Sequence, residues 1–132
     1  MIGSTRNIKV FACAHPTDLR KGFDGLYALA RDVLKQDPLS GHAFVFVSRN
    51  QRRCKVLTYD GTGLCIFMKR IERGQFVAPW ERATESTIEM TMSELALFLE
   101  GSKAVWSSSS GGWWSSNTNA RNTVAAAMPA LK

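Results

Sequence analysis

The sequence predicts an α+β domain: a mainly antiparallel meander sheet flanked by two helices, with a flexible C-terminal tail. Three observations support this class. Short apolar runs rich in β-branched and aromatic residues alternate with turn residues in the middle of the chain. A helical apolar stripe precedes these runs, and a capped helical segment follows them. The composition then changes, since residues 102–132 are dominated by Ser, Gly and other small or polar residues.

The first two elements are a strand and a long helix. The run Ile8–Cys13 fits a strand, and Thr17 is the predicted N-cap of a helix that extends to about Lys35. Gly22 and Gly25 lie one turn apart inside this helix, where each costs about 1 kcal/mol relative to alanine. Either another backbone approaches closely at these glycines or the helix is locally irregular.

The sheet continues with three strands joined by short turns. Apolar runs predict strands at Ala43–Val47, Cys54–Tyr59 and Leu64–Met68, and the sequence Asp-Gly-Thr-Gly at residues 60–63 predicts the turn between the last two. A final strand is expected at Ser86–Met90. These hairpins give the predicted meander.

The domain closes with a second helix. Thr91-Met92-Ser93-Glu94 matches a capping box, and Gly101 is placed to end the helix. We therefore divide the chain into a domain at residues 1–101 and a Ser/Gly/Trp-rich tail at residues 102–132, which is expected to be disordered.

Composition excludes several classes of protein. No apolar stretch is long enough to span a membrane, and the N-terminus lacks the apolar core of a signal peptide, so the expected compartment is the cytoplasm. The three cysteines have neither CxxC spacing nor an even count, which argues against a disulfide framework and a structural zinc site. We expect no metal, no other cofactor and no small-molecule substrate.

Positive charge is concentrated in the body of the chain. Residues 1–80 contain 13 Lys/Arg against 6 Asp/Glu, whereas residues 81–100 contain one arginine against five glutamates. A cluster between residues 49 and 73 is the predicted nucleic-acid-binding set: Arg49, Arg52, Arg53, Lys55, Lys69, Arg70 and Arg73. Cations along neighbouring strands suit phosphate contacts, although a solvated basic hairpin would have the same composition.

Residues suited to catalysis are sparse. His15 and His42 stand outside any nucleophile or metal motif. Asp24, Asp60 and Glu94 would be needed together for a carboxylate-metal nuclease, but each has a structural reason for its position. The sequence therefore predicts a protein without enzymatic activity, and a metal-dependent nuclease is a remote alternative.

Several blocks of residues are familiar as a set. The first is Thr17-Asp18-Leu19-Arg20-Lys21-Gly22-Phe23-Asp24-Gly25-Leu26, and the second is Gly41-His42 with Phe44-Val45-Phe46. The third comprises Lys55-Val56-Leu57, Tyr59-Asp60-Gly61, Gly63-Leu64-Cys65, Lys69-Arg70, Glu72, Gly74, Phe76 and Pro79-Trp80, and the end of the body adds Leu95, Leu99, Glu100 and Gly101. Together they resemble the TnpB-type product of the second reading frame in bacterial insertion sequence family 66.

The resemblance implies an accessory protein of DNA transposition, encoded beside a larger transposase that carries the catalytic acids. We expect contact with element DNA, or with the transposase–DNA complex, through the seven cations. The alternative is an interaction module that docks the transposase through the second helix and the acidic block at residues 81–100, without touching DNA. In the first signature, Asp18, Arg20, Lys21 and Asp24 would equally suit an ion-pair network that maintains the fold.

The chain departs from the family pattern after Gly101. Members usually continue with an Asp-Trp-Arg-like basic segment, whereas this sequence continues Ser-Lys-Ala-Val-Trp. A reading-frame change in a decayed copy would explain the difference, and translating the other frames past codon 101 tests that hypothesis.

Overall fold

A five-stranded sheet with one helix on each face forms the body of the protein. The computed structural model describes residues 7–102, and the following bounds refer to that part of the chain. The elements are β1 (Val10–Cys13), α1 (Phe23–Asp32), β2 (Ala43–Val47), β3 (Arg53–Tyr59), β4 (Leu64–Arg70), a 3₁₀ turn (Pro79–Glu81), β5 (Thr87–Met90) and α2 (Met92–Leu99). The predicted α+β class is confirmed.

The strand order is β4-β3-β2-β1-β5. β2, β3 and β4 form the expected antiparallel meander, and β5 pairs antiparallel with β1 at the other edge. β1 and β2 are parallel, with Phe11 opposite Phe44. A parallel pair requires a crossover connection, and the segment that contains α1 provides it.

Strand alternation divides the core between the two faces of the sheet. One face carries Val45 and Val56 and packs against Phe98 of α2. The other carries Phe44 and Leu57 and packs against α1. We call these the α2 face and the α1 face. All five residues of β2 are buried because both faces of the central strands are covered.

The first helix begins later than predicted. α1 starts at Phe23, with Gly22 as its N-cap residue, and Thr17 does not cap it. The Thr17 N–H donates to the carbonyl of Val47 (2.9 Å), and its hydroxyl donates to the carbonyl of His15 (3.3 Å), so this residue is tied to the sheet. The predicted start was wrong because Leu19, counted in the helical stripe, packs against the α1-face core without being helical.

The two glycines near the start of α1 also have a local explanation. A Cβ at Gly22 would meet nothing within 4 Å, whereas a Cβ at Gly25 would lie 2.9 Å from the Cβ of Lys21. The closest neighbour of Gly25 is therefore Lys21, in the preceding turn of the same chain.

The second helix has the capping box and the terminating glycine that the sequence predicts. Both hydrogen bonds of the capping box are present: the N–H of Glu94 donates to the Thr91 hydroxyl, and the N–H of Thr91 donates to the Glu94 carboxylate. Gly101 has a φ of 82°, the left-handed conformation of a helix-terminating glycine. The predicted disorder of the tail concerns residues that, apart from Ser102, lie outside the described range. Within that range, no helix has the length and apolar character needed to cross a membrane.

Candidate nucleic-acid interface

The carboxyl ends of three strands meet at one end of the sheet. β1 and β2 run parallel, and β4 runs in the same direction because two antiparallel pairings separate it from β2. The segment that leads from β1 to α1, the turn between β2 and β3, and the chain leaving β4 therefore lie together. The bond from the Thr17 N–H to the Val47 carbonyl joins the first of these segments to β2.

The turn between β2 and β3 is fixed by its own polar side chains. The Ser48 hydroxyl donates to Asn50 Oδ1 (2.8 Å) and accepts from the Arg53 N–H, while Asn50 Oδ1 also accepts from the Arg52 N–H. Gln51 adopts a left-handed φ of 62°, and its side-chain amide donates to the carbonyl of Phe76. These hydrogen bonds hold the backbone of the turn that carries Arg49 and Arg52.

A groove of about 830 Å³ opens on the α1 face at this end of the sheet. Four of its lining residues are arginines, and two are acidic. The lining consists of Thr17, Asp18, Leu19, Arg20, Ser48, Arg49, Asn50, Arg53, Met68, Arg70 and Glu72. We call this feature the basic groove. With fully charged side chains, its lining has an excess of two positive charges.

Two of the four arginines have carboxylate partners at the rim. Arg20 binds Asp18 through two parallel hydrogen bonds, from Nε to Oδ1 (3.0 Å) and from Nη2 to Oδ2 (2.7 Å). These bonds hold the pKa of Asp18 well below its usual range. Arg70 pairs with Glu72 at 2.9 Å. All four side chains are solvent-exposed, so these pairs remain open to exchange with another anion.

The other two arginines have no carboxylate partner among residues 7–102. Arg49 lies in the turn between β2 and β3, and Arg53 begins β3 directly opposite Arg70 in the antiparallel register. Like charges placed opposite each other on neighbouring strands destabilise a sheet. The register thus places two arginines opposite each other on the α1 face, and both line the groove.

The remaining cations of the predicted set are distributed over both faces. Lys55 lies on the α1 face, but its Nζ donates to the carbonyl of Lys21 (2.9 Å). Lys69 lies on the α2 face, where its Nζ donates to the carbonyl of Leu99 (2.6 Å) at the end of α2. The predicted common surface therefore does not include Lys69, because successive residues of a strand point to opposite faces.

Arg52 and Arg73 lie at the same end of the sheet as the groove but do not line it. The Arg52 guanidinium contacts the carbonyl of Glu72 (3.4 Å), and Arg73 is exposed in the turn that follows β4. Both would add to the positive potential around the groove.

Arg20 was absent from the predicted set. It lies outside the cluster at residues 49–73, and only the crossover of β1 to α1 brings it to the groove. The sequence signal for Arg20 was its position in the first family-like block, whose charged residues would suit an ion-pair network. The pair with Asp18 shows one such interaction.

Two of the acids considered for catalysis, Asp60 and Glu94, and the buried Cys54 have structural environments. Asp60 Oδ1 accepts hydrogen bonds from the N–H groups of Thr62 and Gly63, and Glu94 is buried in the capping box. Burial raises the pKa of Cys54 to about 12, which disfavours its thiolate. Among residues 7–102, no group of three or more His, Cys, Asp or Glu side chains is arranged to hold a metal ion.

Comparison with known proteins connects this fold to a mobile-element family. The family model described as IS66 Orf2 like protein matches residues 8–108. Two relatives from Sinorhizobium fredii (strain NBRC 101917 / NGR234) are similar over 101 residues, or 76% of this chain. The uncharacterized protein y4hO is 39% identical over 86% of its own length, and the uncharacterized protein y4jC is 32% identical over 85%. No solved structure matches the chain.

Proposed function

Because this chain belongs to the IS66 Orf2-like family, its role is that of an accessory protein in transposition, and we propose that it performs this role by contacting element DNA through the basic groove. The family is not a known catalytic one, and its context points to a separately encoded transposase as a partner. In this proposal, the groove positions phosphates and the chemistry belongs to the transposase.

The placement of Arg53 opposite Arg70 is the main support for DNA contact. Two arginines opposite each other on one face raise the local positive potential, and a phosphate that displaces Glu72 from Arg70 would accept charge-assisted hydrogen bonds from both. Phosphate contacts provide affinity and position without selecting a base sequence. The proposed contacts are Arg20, Arg49, Arg53 and Arg70, with Arg52 and Arg73 at the periphery.

The salt dependence of binding tests this proposal. If about four to six phosphates are engaged, log affinity should fall with log salt concentration at a slope of roughly −4 to −5. The measurement is a fluorescence-anisotropy titration of the full chain on a duplex from the ends of such an element, and on a random duplex of equal length, across a salt series.

Two substitutions locate the contact. Arg53→Ala should weaken binding at every salt concentration and make the slope shallower by about one. The free energy of unfolding of the Arg53→Ala variant should differ from that of the native chain by no more than about 0.5 kcal/mol, because the substitution also removes the repulsion between Arg53 and Arg70. Arg31→Ala is the control, since Arg31 is also an exposed arginine but lies in the last turn of α1 and does not line the groove; unlike Arg53, it is paired with an aspartate.

Failure of the proposal would have a clear signature. If the folded chain binds neither duplex, or binds with an affinity independent of salt, the groove is not a DNA-contact surface. A pull-down of the transposase that persists after nuclease treatment, combined with that result, would favour a module that docks protein only.

A further inference from the structure

β4 is a long edge strand whose outer side is unpaired within the described part of the chain. It has seven residues and pairs only with β3. Phe67 and Met68, in its centre, are 51% and 60% exposed. Exposed apolar edge strands act as templates for pairing with another chain, and proteins normally shield them.

The hydrogen-bond pattern shows which peptide groups are available. The N–H of Asp60 donates to the carbonyl of Gly63, and the N–H of Ile71 donates to the carbonyl of Arg52. Between these two hydrogen-bonded pairs, Asp60–Gly63 and Arg52–Ile71, the opposed residues of β3 and β4 alternate between hydrogen-bonded and non-hydrogen-bonded pairs. The peptide groups of Cys65, Phe67 and Lys69 therefore face β3, whereas those of Leu64, Ile66, Met68 and Arg70 point away from the sheet.

The centre of this edge also has an apolar side chain on the α2 face, at Phe67. Phe67 borders a small groove of about 140 Å³ between the outer strands and α2. Met92, Leu95 and Leu99 of α2 line its other side, and Met92 is 38% exposed. The outer edge thus combines free backbone donors and acceptors with an apolar flank.

We propose that a second copy of this chain pairs with this edge, with the two β4 strands antiparallel around a twofold axis at Phe67. In this register, Phe67 lies opposite the partner's Phe67 as a pair without mutual hydrogen bonds. Ile66 of each copy then lies opposite Met68 of the other copy, which gives one hydrogen-bonded pair on each side of the axis. The alternation of outward-facing peptide groups in β4 matches this arrangement.

The distribution of charge favours a second copy in this register. All the charged residues of β4 lie at its carboxyl end, at Lys69 and Arg70, so a parallel pairing would place cations beside cations. The antiparallel register places Arg70 opposite the partner's Leu64 and Lys69 opposite the partner's Cys65, so no cation of β4 faces another cation. Registers centred on Lys69 or Arg70 would oppose like charges and are disfavoured.

Such a pair would join the two sheets into one of ten strands. Residues directly opposite each other on antiparallel strands point to the same face, so the two Phe67 side chains would meet between the two α2 helices. The two basic grooves would then lie on the same face of the combined sheet, at opposite ends. The pairing itself does not depend on the proposed function of those grooves.

Charge substitution at the twofold axis tests the pairing. Sedimentation of the full chain over about 1 to 100 µM should show conversion toward twice the 14.6 kDa chain mass, because interfaces of ordinary size can bind in the micromolar range. Phe67→Glu and Phe67→Lys should each weaken association at least tenfold, since each places like charges opposite each other. An equimolar mixture of the two variants should associate again. Leu39→Glu is the matched control, because Leu39 is similarly exposed but lies outside β4.

Cross-linking fixes the register. In a Cys65→Ser background, Phe67→Cys should form an intermolecular disulfide under mild oxidation, because opposed residues of this type have Cα atoms about 4.5 Å apart. The native chain should not cross-link through Cys65, which lies opposite the partner's Lys69 in this register.

Two results would overturn the proposal. The first is a chain that remains monomeric throughout the concentration series, and the second is an oligomer insensitive to both charge variants. In the first case, protection of the Ile66 and Met68 amides from hydrogen exchange would indicate that residues outside 7–102 cover the edge.

Discussion

At the scale of single residues, Asp60 shows how a carboxylate in a turn acquires a complete structural role. Its Oδ1 accepts bonds from the N–H groups of Thr62 and Gly63 and from the Thr62 hydroxyl, all within 3.0 Å. The two backbone N–H donors are the main reason that the pKa of Asp60 falls to about 2. The carboxylate therefore organises the turn between β3 and β4.

This lowered pKa predicts a pH dependence of stability. The folded-state pKa lies below the ordinary value of 3.8, so the stabilisation from Asp60 is fully present above about pH 4 and is lost as the pH falls toward 2. Asp60→Asn should keep an acceptor oxygen in the turn but remove this part of the acid sensitivity. Urea unfolding at pH 7 and between pH 4 and 2 measures the difference. Equal acid sensitivity of the variant and the native chain would contradict the assignment.

At the scale of elements, α2 is specified at both ends by local interactions. Thr91 and Glu94 satisfy the first turn, and Gly101 ends the helix with a left-handed backbone. The carbonyl of Leu99 also accepts the Lys69 Nζ, which connects the end of α2 to β4. A helix of eight residues is too short to be stable alone, so these contacts and its packing on the sheet maintain it.

Gly101→Ala tests the contribution of the helix end. The left-handed φ should cost about 1–2 kcal/mol for a residue with a Cβ. The new Cβ would also lie 2.8 Å from Ile71 Cδ1, the end of a flexible side chain that can move aside. Thermal or urea denaturation measures the loss. Gly63→Ala serves as the control, because a Cβ there meets nothing within 4 Å, and a comparable loss in both variants would argue against backbone strain.

At the scale of the whole molecule, two hydrophobic cores share the central strands. The α1 face buries Leu26 against Phe44, and the α2 face buries Phe98 near Val45. Because β2 contributes to both cores, neither face can open completely without exposing the side chains of this strand. The two cores should therefore unfold as one cooperative unit.

Hydrogen exchange provides a direct measurement of this cooperativity. The amides of β2 should exchange most slowly, with a free energy of opening equal to that of global unfolding. The outward-facing amides of Ile66 and Met68 should exchange much faster in dilute solution. Exchange of the β2 amides through a local opening of lower free energy than global unfolding would contradict the shared core.

Local sequence signals located most of the elements. β2 was predicted with its observed bounds, and the turn at residues 60–63 and the capping box at Thr91 were also identified. These features are encoded by residues within a few positions of each other, such as a turn-forming Asp-Gly or a Thr three residues before a Glu. The family was identified in the same way, from ordered blocks of residues, and the family match confirms it.

Long-range contacts decided the rest. The sequence indicated a basic surface, but the extension of β4 to Arg70 puts Lys69 and Arg70 on opposite faces, and the register with β3 places Arg53 opposite Arg70. The crossover that joins parallel β1 and β2 brings Arg20 to the groove, and α1 begins only after this residue, at Phe23. Composition and spacing constrain what each segment can form, whereas the face on which a side chain lies depends on pairing between residues far apart in the chain. Most of the elements and the family were therefore determined by sequence alone, whereas the start of α1 and the shape of the candidate interface were determined by tertiary structure.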